Sequence, residues 1–289
     1  MMNAIKLVVS LFLLVWAVAG CAGVKKEANK PVQETQTVEK KEPSIEMDHI
    51  PPTPEPIPNV DPQEPSPPAV ESTPQQSPQA KFVVCLDPGH QRKANLDLEP
   101  IGPGATEKKY KVTDGTEGVA TKKPEYVLSL EAAFLLKDML EAKGMEVIMT
   151  RTSPDVNISN KERATIANEH HANLLLRIHA DGSDNPNKKG FAVLTPAEDN
   201  PYTKAIYATS LTASQYIVKR VKENEKVQVN GIMFRGDLSG FNWAQVPGVL
   251  LELGFMSNPD EDRKLSDKAY LTALLQSVAQ GVEDYRKQQ

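Results

Sequence analysis

A run of five apolar residues, Phe82 to Leu86, is cut short by Asp87-Pro88-Gly89 and followed at once by His90. Phe82, Val83 and Val84 are aromatic or β-branched, which favours a fully buried strand over an amphipathic helix. Pro88 removes an amide donor and Gly89 permits unusual backbone angles, so the strand ends abruptly. An imidazole is thereby delivered at the carboxyl end of a buried strand, where ligands bind in open α/β sheets.

Helix and strand patterns alternate downstream. Pro124 suits a first helical turn, and Leu128, Ala132, Leu135, Leu136 and Met139 recur at three- and four-residue steps as one apolar face. Glu125 falls on that face one turn earlier, where a carboxylate needs a helix N-terminus, a metal or both. Gly144 ends the helix, and Met145 to Thr150 reads as a strand. Ile158 to Ala172 reads as a second helix capped by Ser159 or Asn160, with His170 and His171 complementing the dipole at its far end. Asn173 to Ile178 is another buried strand, ending on His179. A strand over 189–195, a helix over 201–223 and a buried strand from Val246 to Leu253, interrupted by Glu252, are expected after it. Asn258-Pro259 opens a terminal helix. Such alternation predicts an α/β fold with a mainly parallel sheet covered on both sides. Gln91 to Lys123 is long and polar, and is expected to be an irregular loop bordering a substrate groove.

The first 80 residues have a different character. Lys6 precedes the apolar run Leu7 to Ala19, which is short for a membrane span and reads as a secretory signal over 1–20. Val18-Ala19-Gly20-Cys21 resembles a bacterial lipobox, which would make Cys21 a lipidated residue. Of the chain's 23 prolines, 13 fall in 22–80 without apolar periodicity. A stretch so composed cannot offset its ordering entropy, so 21–80 is expected to be a disordered Pro/Glu/Gln-rich tether. Residues 1–80 carry 6 Lys/Arg against 10 Asp/Glu, leaving 27 against 28 for 81–289. The second part is therefore nearly neutral and has no basic face for nucleic acid. With Cys21 so used, Cys85 has no partner and reads as core packing in a buried strand.

Two histidines at strand ends and one inward glutamate, His90, His179 and Glu125, suit Zn²⁺ with a fourth position open, the pattern of a catalytic rather than a structural site. Glu252, a carboxylate in a buried strand, fits a general base and acid. These residues are scattered, with no HExxH-type signature, and a lone histidine after a strand is more often structural. Glu131 is a rival ligand but aligns with Asp138 as a solvated stripe.

Asp87-Pro88-Gly89-His90, Arg177-Ile178-His179-Ala180-Asp181 and Leu251-Glu252-Leu253-Gly254-Phe255-Met256-Ser257-Asn258-Pro259 resemble signatures of the zinc-dependent N-acetylmuramoyl-L-alanine amidases of the amidase-3 type. The stretches from Glu125 to Arg151 and from Lys161 to Asn168 are similar as well, and the likeness covers about 82–285. The resemblance implies a twisted central sheet flanked by helices, and a hydrolase cutting the amide between N-acetylmuramic acid and L-alanine of peptidoglycan. It implies one Zn²⁺ held by His90, Glu125 and His179, with Glu252 as general base and acid, and Asp87 orienting His90 or shaping the turn. Gln91-Arg92 replaces two glycines frequent in the family, Ser129 replaces an asparagine, and the 91–123 loop is long. The expected organisation is a catalytic domain over 81–289, exported and lipid-anchored to a membrane facing the wall. A protein activator is compatible with the sequence, though no motif for one is visible. The alternative is a catalytically silent module that binds peptidoglycan, which retention of all four site residues disfavours; a zinc peptidase or deacylase is a third.

Overall fold

The computed structural model describes residues 81–289; the expected signal peptide, Cys21 and the tether lie outside the described residues. Strand β1 (Val83–Pro88) is followed by a pair, β2 (Asn95–Pro100) and β3 (Lys108–Val112). Then come α1 (Glu125–Glu141), β4 (Glu146–Met149), α2 (Asn160–Glu169), β5 (Leu174–Asp181) and β6 (Phe191–Pro196). The remainder is α3 (Tyr207–Lys222), β7 (Val229–Arg235), α4 (Ser239–Asn242), β8 (Gly248–Phe255), α5 (Pro259–Ser266) and α6 (Lys268–Arg286).

Six strands form one sheet in the order β4-β1-β5-β8-β6-β7. All neighbours are parallel except β6 and β8, which run antiparallel. The expected mainly parallel α/β sheet is therefore present. One face carries the larger core, in which Val84, Leu86, Leu176, Ile178, Val249 and Leu251 meet Leu128, Leu136, Ile217 and Leu275 from α1, α3 and α6. The opposite face packs Cys85 and Leu175 against Ala164 and Ala167 of α2, with Ala244 after α4. Each fully buried leucine in such a core contributes about 2 kcal/mol or more from area removed from water.

The local chemistry sets the boundaries. Ser159 caps α2: its hydroxyl accepts the Glu162 N–H at 3.1 Å, and the Glu162 carboxylate accepts the Ser159 N–H at 2.7 Å. Asn258 caps α5 by accepting from the amides of Asp260 and Glu261, with Pro259 at the first position.

Four details depart from the sequence expectation. Residues 91–123 are not one irregular loop, since β2 and β3 pair antiparallel. Their alternation, Leu96 and Leu98 against Tyr110 and Val112, is diluted by aspartate and lysine, so it reads as polar. Strand β7 and the short α4 were not anticipated, because Asn230-Gly231 interrupts β7 where the register also shifts. The helix expected over 201–223 starts only at Tyr207. The terminal helix is two helices, broken at Asp267, whose side chain caps α6 by accepting from the Tyr270 N–H.

Cys85 is fully buried, as expected of a core residue. Burial first, and the nearby Asp87 charge second, push its thiol up to about 12. In a Cys21→Ser chain at pH 8, a thiol reagent should label Cys85 only as fast as the protein unfolds, and stoichiometrically in denaturant. Fast labelling of the native chain would contradict this packing.

Candidate metal centre

Side chains alternate faces along a strand. Ile178 and Ala180 of β5 point into the larger core, so Arg177, His179 and Asp181 share the other face. By the same count Asp87 leaves β1, and Glu252 leaves β8, on that second face. His179 and Glu252 are direct register partners across the β5–β8 pair. His179 thus lies inside β5, which runs on to Asp181, rather than just past a strand end as its sequence suggested. Three adjacent parallel strands present their polar residues together near their carboxyl ends.

His90, Glu125 and His179 converge. His90 Nε2 lies 3.1 Å from His179 Nδ1 and 3.2 Å from Glu125 Oε1, and His179 Nδ1 lies 3.0 Å from the same oxygen. Tetrahedral zinc with bonds near 2.0–2.1 Å separates its ligand atoms by roughly 3.3 Å, so the spacing fits. Among the described residues this is the group of His, Cys, Asp and Glu that can hold a metal ion. His90 Nδ1 donates to the Thr113 carbonyl at 2.8 Å, which leaves a lone pair on Nε2 facing the carboxylate. Burial, as the main cause, pushes His179 down to about 4, so its ring is neutral near pH 7. A neutral His179 offers at most one proton to two acceptors, a deficit that a divalent cation removes. The donor set therefore fits a metal such as zinc.

Glu125 starts α1 and is buried; burial opposes its charge, but the hydrogen bond with His179 holds its carboxyl well below the usual carboxylate range. Its Oε2 accepts the Thr116 N–H at 2.9 Å and its Oε1 the Ala180 N–H at 3.2 Å. Glu131 is exposed and paired with Lys123 at 2.6 Å, as its place on a solvated stripe implied. His170 and His171 are exposed at the end of α2, apart from this cluster.

The turn that carries His90 is built from buried charge. Asp87, fully buried, accepts from Arg163 at 2.8 Å, Arg177 at 2.7 Å and the Thr150 hydroxyl at 2.6 Å. Arg163 also donates to the Pro88 and His90 carbonyls at 2.7 and 2.9 Å, and Arg151 to those of Pro88 and Gly89 at 3.0 and 2.9 Å. Of the two roles considered for Asp87 the structure shows the second: it shapes the turn, while Thr113 orients the His90 ring. His90 adopts φ 58°, left-handed and strained for a residue with a side chain, which these bonds hold in place. A Cβ at Gly89 would overlap the His179 ring, so only glycine lets the two histidines meet. Gln91 and Ser129 join the same scaffold. The Gln91 side-chain Oε1 accepts from the Ile158 amide at 3.1 Å, and the Ser129 hydroxyl donates to the Gly89 carbonyl at 2.8 Å.

Arg151, Arg163, Thr113 and Thr116 were not singled out in the sequence. Arg163 carried a signal, since a charge on the helix face it shares with Ala164 and Ala167 implies a buried partner. Thr113 and Thr116 act through backbone atoms, which leave no trace in residue identity.

Glu252 Oε2 and His179 Nε2 are buried without a protein partner. Burial above all, then repulsion from Glu125 and Asp181, raises the Glu252 carboxyl well above its ordinary value. Both residues line a groove of about 660 Å³. Leu98 and Tyr110 of the β2–β3 hairpin form one wall, and Arg235, Asp237 and Ser239 face them. The expected bordering of a groove by 91–123 is therefore present, supplied by paired strands.

The family of N-acetylmuramoyl-L-alanine amidases of the Amidase_3 type matches residues 84–284. An N-acetylmuramoyl-L-alanine amidase of Mycobacterium tuberculosis is 30% identical over 217 residues, covering 69% of this chain and 86% of that one. AmiA of Escherichia coli, with the same activity in its name, is 25% identical over 242 residues, covering 71% and 76%. The crystal structure of the amidase Ami1 from Mycobacterium smegmatis superposes with TM-score 0.65 at 24% identity, covering 73% of this chain and 100% of that one. The apo form of Ami1 from Mycobacterium abscessus gives 0.65 at 27%, covering 72% and 99%.

Replacing Asp87 by asparagine leaves Arg163 and Arg177 as buried, poorly compensated charges, and should lower stability by about 3–5 kcal/mol in denaturant unfolding. Arg163, Arg177 and Thr150 together hold the Asp87 carboxyl well below its ordinary value despite burial. Its contribution is thus complete above the unfolded-chain pKa of about 3.9 and is lost as pH falls below it. The deficit of Asp87→Asn should accordingly be constant from pH 5 to 8 and shrink under more acid conditions.

Proposed function

Because the chain belongs to the N-acetylmuramoyl-L-alanine amidase family, we propose that His90, Glu125 and His179 hold one Zn²⁺ and that Glu252 is the general base and acid for peptidoglycan cleavage. The observation that carries this assignment is the convergence of three ligand atoms, all within 3.2 Å of one another, beside an unpartnered carboxylate in a groove. Zinc, when bound there, acidifies a water and polarises a carbonyl oxygen. Glu252 takes the proton from the attacking water. The bond between the lactyl carbonyl carbon of N-acetylmuramic acid and the L-alanine nitrogen then breaks, and Glu252 returns the proton to that nitrogen. A carboxylate whose affinity for a proton is raised by burial suits both transfers. Products are a lactyl carboxylate and a free L-alanine amine. Tyr110 and Leu98 supply apolar surface to the groove, while Arg235 and Lys109, both paired with Asp237, supply polar groups for the wall polymer.

The location follows from the amino-terminal sequence. A signal over 1–20, a lipid on Cys21 and a Pro-rich tether up to residue 80 would anchor the domain in a membrane facing the wall. A spacer of about 55–60 residues would, if extended at roughly 3 Å each, reach well over ~100 Å. No helix among the described residues is long and apolar enough to cross a membrane.

Incubation of the mature chain with peptidoglycan should create new L-alanine amino termini, abolished by chelation and restored by zinc. Glu252→Gln should retain zinc while the cleavage rate falls by about 10²–10⁴. Zinc without cleavage of any wall type would instead favour a silent, peptidoglycan-binding module, and a chain that takes up no zinc would refute the ligand assignment. Expression with a radiolabelled fatty acid should label the chain, and Cys21→Ser should remove the label.

A further inference from the structure

Between β3 and α1 the chain forms a strap, residues 113–123, that touches two of the three converging ligands from outside the sheet. The Thr113 carbonyl accepts from His90 Nδ1 at 2.8 Å, and the Thr116 amide donates to Glu125 Oε2 at 2.9 Å. The Thr116 carbonyl accepts the Glu125 N–H at 2.9 Å, so the first residue of α1 is gripped at both backbone and side chain. The torsion of each ligand therefore depends on where this strap sits.

Its far side is fastened to α5. Asp262, fully buried in the first turn of that helix, accepts the amides of Ala120 and Thr121 on Oδ2, both at 2.7 Å, and the Thr121 hydroxyl on Oδ1 at 2.6 Å. Among the described residues its side chain has no other hydrogen-bond partner and no ion pair. Val119 donates to the carbonyl of Met256, just beyond β8, at 3.0 Å. A Cβ at Gly118 would overlap the Asp262 carboxylate, so glycine is what allows the strap to lie this close. The α5 N-terminus favours the negative charge, yet the carboxylate is turned to the strap rather than to its own helix amides.

We propose that Asp262 is a remote positioning residue for the metal centre: it clamps the strap that orients His90 and Glu125, and so sets metal affinity without touching the metal. Groups that orient metal ligands through hydrogen bonds typically govern 10–100-fold in affinity. Asp262 acts one step further out, through Thr113 and Thr116. The proposal rests on the zinc assignment above, and its test separates the two.

The test is zinc affinity, measured by chelator competition, in the mature chain and three variants. Asp262→Asn should weaken zinc binding about tenfold or more. Thr121→Val keeps side-chain volume at an exposed position and folds; it removes the hydroxyl's bonds to Asp262, to the Lys123 amide within the strap and to Ser266 of α5, and should weaken binding about fivefold. Glu261→Ala, which removes buried contacts from α5 to Gly190 and Phe255 but none to the strap, should lower thermal stability and leave zinc affinity unchanged. A merely structural role for Asp262 predicts the reverse: metal-free stability falls and zinc affinity follows the Glu261→Ala control. That result, or wild-type affinity in Thr121→Val, would overturn the clamp. Failure of the unaltered chain to bind zinc would instead overturn the assignment beneath it.

Discussion

Burying a carboxylate is costly unless its charge and its lone pairs are both met. At Asp87 both are met, by two guanidinium groups and a hydroxyl drawn from α2, β5 and the segment following β4. The same guanidinium of Arg163 continues to the carbonyls on either side of Gly89. Charge neutralisation and backbone satisfaction are thus one network. The strained backbone of His90 and the close approach of His179 both depend on it. Functional geometry here is held by ions buried beneath the site rather than by the groups that face substrate.

The fold divides labour between the two faces of its sheet. The thicker side, under α1, α3 and α6, is apolar and supplies stability. The thinner side carries polar residues toward the strand ends, and short irregular elements cover them. The hairpin is seated at its turn end by Trp243, which donates to the Pro100 carbonyl at 2.9 Å, and near its base by Asn160, which donates to the Lys111 carbonyl at 2.9 Å. Lys109 reaches Asp237 across the groove at 3.2 Å. The walls are therefore fixed to the scaffold on both sides, even though their own residues bury little.

Period and burial made the central strands legible, because a fully buried parallel strand reads as an unbroken apolar run. They made the site legible too, since a histidine or glutamate in such a run has to be explained. His90, Glu125, His179 and Glu252 could all be named for that reason. What escaped was of two kinds. The β2–β3 hairpin and β7 are half-exposed or interrupted by glycine, so side-chain pattern is weak where backbone pairing is strong. The supports of His90 and Glu125 use the Thr113 carbonyl and the Thr116 amide; every residue offers the first and any but proline the second. Asp87 was noticed, but its partners lie 76 and 90 residues away, beyond the reach of local pattern.

The three converging side chains are themselves far apart along the chain, 89 residues separating His90 from His179 and 54 separating Glu125 from His179. No short peptide of this protein can bring them together, so the centre exists only once β1, α1 and β5 have docked. Binding of the proposed ion and folding are then linked, since only the folded chain offers the assembled site and a bound ion stabilises that fold. An unfolded chain carries no assembled centre, and any proteolytic cut that lets β1 drift from β5 would disarm the hydrolase by dispersing these side chains.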